Sequence, residues 1–102
     1  MRNIKFVSPA TAAYVANALR VRGIKVLSHQ EGDDSVDGEV TVAERVAVQV
    51  PTFGGPCVVV TESADGETFG FGDDCHDMNS LEAAVRAALQ DESGVEDVTA
   101  AR

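Results

Sequence analysis

CVVVTESADGETFGFG, residues 57–72, holds the decision about the fold. Two runs rich in β-branched and aromatic residues flank Ala64-Asp65-Gly66-Glu67, and Asp-Gly closes two-residue hairpins because both residues tolerate the positive φ such turns need. The register follows from the turn: Ala64 pairs with Glu67, Glu62 with Phe69 and Val60 with Phe71. Val58, Val60, Phe69 and Phe71 then share one face, while Cys57, Val59, Thr61 and Ser63 share the other with Gly70 and Gly72. The phenylalanines read as core and the glycines as a bare outer face. In this register Cys75 falls opposite Pro56, away from Cys57, so a disulfide would need a bulge and none is expected.

Outward from the hairpin, Val40 to Val50 alternates valine with Thr41, Ala43, Arg45, Ala47 and Gln49, the period-2 pattern of one half-buried strand. Upstream, Ile4 to Val7 and Ile24 to His29 read as strands joined by a helical crossover, parallel or antiparallel. Ser8 is the expected N-cap and Pro9 the first helical residue. Ala12, Val15, Ala16 and Leu19 form the apolar stripe of that helix, and Gly23 ends it as a left-handed cap. Downstream, Asn79 with Glu82 resembles a capping box ahead of the stripe Leu81, Ala84, Val85, Ala88 and Leu89. Residues 91–102, acidic and without period, read as a flexible tail on a single domain of residues 1–90. The fold class is therefore α+β: a two-layer sandwich of a mainly antiparallel sheet of about five strands, with two helices on one face, in the order β-α-β-β-β-β-α. The second sheet face, assigned Ala43, Ala47, Val59 and Thr61, is left uncovered and is the expected surface for a homodimer.

At 102 residues the chain suits one core, and its 44% hydrophobic and 25% charged residues are those of an ordinary globular domain rather than a disordered one. No apolar run approaches the roughly 20 residues that cross a bilayer, and the N-terminus lacks a signal-like apolar stretch, so a cytoplasmic protein without a membrane partner is expected. The net charge of −9 is divided unevenly: residues 1–30 carry +5 and no acid, and residues 31–102 carry −14. Such a surface repels phosphate backbones, which argues against direct nucleic-acid binding.

Three clusters invite chemistry. Asp33, Ser35, Asp37, Gly38 and Glu44 match the spacing of a calcium loop, with oxygen at the first, third and fifth places, glycine at the sixth, an apolar residue at the eighth and glutamate at the twelfth, and Glu39 belongs to the same candidate set. The flanks are β-patterned rather than helical, so turn chemistry explains the spacing better and no metal is expected. Asp73-Asp74-Cys75-His76-Asp77 gathers a thiol, an imidazole and three carboxylates, but neighbours on an extended chain point to opposite sides. Cys75 with His29 or His76 is the one candidate nucleophile and base, and the surrounding acids disfavour a thiolate. Neither Phe53-Gly54-Gly55-Pro56 nor Phe69-Gly70-Phe71-Gly72 has the lysine and helix start of a phosphate loop. No enzyme and no cofactor is expected.

What remains is the acidic surface. Asp33, Asp34, Asp37, Glu39, Asp73, Asp74 and Asp77 are the expected contacts to a partner protein with a basic surface, since displayed carboxylates complement a basic groove and steer encounter. In size and charge the chain is similar to small acidic phage inhibitors of nucleic-acid-binding machinery, anti-restriction and anti-CRISPR proteins among them. That resemblance implies a non-enzymatic inhibitor; a homodimer or a calcium-binding module are the alternatives.

Overall fold

The computed structural model describes residues 3–6 and 9–101, the last ten of them as helical backbone only. In chain order the elements are α1 (Ala12–Val21), β1 (Ser28–Gln30), β2 (Gly38–Ala43), β3 (Val46–Val50), β4 (Val58–Glu62), β5 (Phe69–Phe71) and α2 (Met78–Ala101). The strands form one antiparallel sheet in the order β1-β2-β3-β4-β5, a meander. Both helices cover the same face, α1 over β1 and β2 and α2 over β3 and β4. The α+β sandwich expected from the sequence is thus the fold.

Its core joins Ala12, Val15, Ala16 and Leu19 of α1 and Leu81 and Val85 of α2 to Val40, Val42, Val46, Val48, Val50 and Val59 of the sheet. Burial of these side chains, about 1.5–3 kcal/mol for each valine or leucine, is the main force holding the layers together. Both helical stripes and the valine alternation were legible in the sequence.

Three expected strands differ from those observed. Val40 to Val50 is not one strand but a hairpin reversing at Glu44-Arg45, with a bulge between Thr41 and Ala43 that keeps Val42 and Val46 both inside. No non-glycine among the described residues has positive φ, so this turn uses ordinary residues and leaves no Gly or Asn signature to read. Ile4 to Phe6 stays outside the sheet. It pairs instead with the segment entering α2, through Phe6 N–H to His76 O (2.8 Å) and Met78 N–H to Ile4 O (2.8 Å). Loss of one strand and division of another leave the count at five. Ile24 to His29 contributes only its end, and β1 pairs with β2, so no parallel crossover forms.

The helix caps also move. Thr11, not Ser8, caps α1: its hydroxyl accepts from Tyr14 N–H (3.0 Å). The carboxylate of Glu31 accepts from Ala12 N–H (2.7 Å) and Ala13 N–H (3.0 Å), so a residue 18 positions on satisfies the donors that a local cap leaves over. Gly23 takes the left-handed conformation expected, φ +87°. At α2 the cap is Asp77, whose Oδ1 accepts from Ser80 N–H (2.8 Å), while Glu82 binds Arg22 and Arg86 rather than closing a capping box on Asn79. The helical backbone runs on through residues 91–101, where the composition suggests a tail; the side chains of Glu92, Glu96 and Asp97 lie outside the described residues.

Candidate partner-binding face

Hairpin β4–β5 has the expected strand pairs, Val60 opposite Phe71, Thr61 opposite Gly70 and Glu62 opposite Phe69, but its reversal is not the expected two-residue turn: Gly66 N–H donates to Ser63 O (2.9 Å) and only Gly66 takes a positive φ. Which face is core follows from the next pairing. Val48 opposes Val59 and Val46 opposes Thr61, so Val59, Thr61, Gly70 and Gly72 look toward the helices, and Ala47, Val60, Phe69 and Phe71 look away. The sequence expectation is inverted here. Val59 is a core residue and Thr61 faces α2, so neither belongs to an open self-association surface; Ala47 does, and Ala43 sits at the bulge.

The open face therefore presents Phe69 and Phe71, 59% and 67% exposed, over a floor of Ala47, Val58 and Val60. Gln49 and Thr41 continue this floor, and Glu39, Glu44 and Glu62 border it with Arg45. The phenylalanines are outside because the pairing of Val48 with Val59 turns their side of β5 away from both helices. On the inner side a Cβ at Gly70 would lie 2.9 Å from Thr61 Oγ1, so a larger residue there would have to displace that hydroxyl. Beneath β5, the bare glycines and the small helical residues Ala84, Ala87 and Ala88 leave a groove of about 560 Å³, with Arg45, Glu62 and Asp91 at its rim.

The acidic residues expected to meet a partner divide into two groups. Asp34, Glu39, Asp73 and Asp74 are exposed, and Asp73 and Asp74 occupy an extra residue's worth of chain between β5 and Cys75. Asp33, Asp37 and Asp77 have structural partners. Asp33 Oδ1 accepts from Ser35 N–H (2.8 Å) and Val36 N–H (3.0 Å), Asp37 accepts from Thr52 N–H (3.4 Å), and Asp77 caps α2. Hydrogen bonds from Ser80, then from the Asn3 side chain, together with nearby Lys5, hold the Asp77 carboxyl below the usual range.

Nor are the calcium-spaced residues gathered. Gly38–Ala43 is a paired strand, so Glu44 lies about 20 Å along the chain from Asp37. Among the described residues no group of three His, Cys, Asp or Glu side chains converges as a metal site.

Cys57 and Cys75 are free and buried, and they oppose each other directly, exchanging both backbone hydrogen bonds (2.9 and 2.8 Å). This corrects the expected pairing of Cys75 with Pro56: the extra residue near Asp73 and Asp74 shifts the register by one and brings both thiols to one side. Burial, and then Cys75, pushes the Cys57 thiol up to about 12; burial followed by Asp73, Asp74 and Asp77 raises Cys75. His29 is on β1, three strands from β4 and so roughly 14 Å away, and does not meet Cys75. His76 is exposed while Cys75 is buried.

No family model, curated protein or solved structure matches the chain.

Proposed function

We propose that the protein is a non-enzymatic binding module that docks its open sheet face, anchored by Phe69 and Phe71 and framed by acids, on the basic surface of a partner protein. The observation that carries this reading is the pair of phenylalanines more than half exposed on an uncovered sheet face. Monomeric domains rarely leave large aromatic side chains together in water, and aromatic residues with a polar rim are the anatomy of a protein interface. Glu39, Glu44 and Glu62 supply that rim, exposed Asp73 and Asp74 follow β5 in the chain, and the net charge of −9 selects a basic partner and accelerates its approach. A nucleic-acid-binding complex is such a partner, and inhibition by occupying its basic surface is the activity we assign. Its action is assigned to the cytoplasm; no helix among the described residues is long and apolar enough to cross a membrane.

The test is capture from a cell lysate by the tagged protein, with elution in steps of salt, repeated with Phe69→Ser/Phe71→Ser and with Asp73→Lys/Asp74→Lys. A basic polypeptide retained by the wild type, released at moderate salt and lost with both variants is expected. Capture unaffected by either variant overturns the reading. A second reading, a homodimer through the same face, is favoured by the same apolar floor, and light scattering that shows a dimer dispersed by Phe71→Ser would establish it instead.

A further inference from the structure

We propose that the free edge of β5 receives an extended basic segment of the partner as a sixth strand, with alternate side chains seated over Gly70 and Gly72 in the groove beside α2. The proposal rests on the reading of the protein as an acidic binding module and names how the partner is held.

Backbone geometry comes first. Ser63 N–H donates to Thr68 O and Gly72 N–H to Val59 O, so Thr68 and Gly72 face β4. Hydrogen-bonding groups alternate sides along a strand, so the N–H and C=O of Phe69 and Phe71 point away from β4. β5 ends the sheet, and among the described residues no strand lies beyond it. An exposed edge of this kind is a template for another chain.

An added strand alternates its own side chains between the two faces of the sheet. On the open face they meet Phe69 and Phe71. On the covered face they reach the groove of about 560 Å³ that the glycines and Ala84, Ala87 and Ala88 leave. That space is lined by small apolar groups and suits branched aliphatic side chains.

Charge selects the occupant. Asp65 and Glu67 stand at one end of β5, Asp73 and Asp74 at the other, and Glu62 and Asp91 at the groove rim against Arg45. A second copy added antiparallel through β5 would set Asp73 and Asp74 of one molecule against Asp65 and Glu67 of the other, a like-charge contact. A strand alternating lysine or arginine with aliphatic residues meets opposite charge at both ends and fills the groove.

The probe is a fluorescein-labelled decapeptide of alternating Lys and Val, followed by anisotropy with the full chain, beside an alternating Glu and Val control. Binding of the basic peptide at least about tenfold tighter than of the acidic one is expected. Phe71→Pro removes an outward N–H without touching the β4–β5 ladder and is expected to weaken binding about tenfold, whereas Phe71→Leu changes it far less. A Lys-Val peptide N-methylated at every amide keeps charge and side chains, leaves the protein untouched and is expected to lose binding. Basic preference that survives N-methylation overturns edge pairing and leaves the docking face standing; equal binding of both parent peptides overturns both. Self-association in sedimentation that the basic peptide does not disperse assigns the edge to a second copy, and overturns the proposal as well.

Discussion

Replacing Glu31 by alanine removes both acceptors that hold the start of α1. The residue lies just ahead of the acidic residues expected to meet a partner, yet its two carboxylate oxygens take the N–H groups of Ala12 and Ala13 at 2.7 and 3.0 Å. Ala12 is buried against the sheet, so water replaces only part of what is lost. A helix cap contributes about 0.5–2 kcal/mol and a carboxylate at the positive end of a helix about 0.3–1 kcal/mol, which together give a cost of about 2 kcal/mol. For a domain of this size that is a fall in Tm of about 8–12 °C. Glu31→Gln keeps one acceptor and turns a donor toward the second N–H, so it should cost more than half as much as alanine. Urea unfolding followed by circular dichroism measures both variants, and the alanine deficit should shrink at 1 M salt, where the Debye length falls to about 3 Å. An alanine variant within about 0.5 kcal/mol of wild type, below the smallest loss expected of a cap, would refute the reasoning.

Glu82 joins Arg22 (2.8 Å), whose side chain is only 5% exposed, and Arg86 (2.9 Å). Glu82→Ala should lower Tm by several degrees, more than Arg86→Ala, because it deprives a buried guanidinium of its carboxylate; Arg22→Met with Glu82→Leu should recover much of the loss in thermal melts. Asp77 and Glu82 have carboxyl groups held below their ordinary values by hydrogen bonds from Ser80 and from Arg22 respectively. Depressed folded values mean stability that is present above about pH 4–4.5 and lost as pH falls further, so Asp77→Asn should be less stable at neutral pH and show a shallower acid limb in pH-dependent unfolding. The thiols run the other way. With Cys57 raised from 9.0 to about 12, the protonated form belongs to the fold, so stability is retained below pH 9 and falls as pH rises beyond it. At pH 8 the native Cys57 thiol should react with Ellman's reagent far more slowly than in urea-unfolded chain, and equal rates would contradict its burial.

The sequence by itself determined the elements whose cause is local. The β-patterned runs around Asp65-Gly66 give the strand pairs Val60–Phe71 and Glu62–Phe69 that the structure keeps, although the turn is wider than two residues, and Gly23 ends α1 because only a residue without Cβ turns there freely. The stripes of α1 and α2 and the valine alternation name most of the core, since periodicity records which side of an element meets water. Tertiary structure decided what periodicity leaves symmetric. An alternating strand has two faces, and only the pairing of Val48 with Val59 chose the one that carries Cys57 and Val59 as core, leaving Phe69 and Phe71 in water. The Glu44-Arg45 reversal has no turn residue to announce it, and the caps from Glu31 and Asp77 depend on which chain ends the fold brings together. So does the opposition of Cys57 and Cys75, which a single extra residue near Asp73 and Asp74 creates. The candidate site is therefore half legible: its acids and its aromatics are in the sequence, but that both border one open sheet face follows from contacts between residues far apart in the chain.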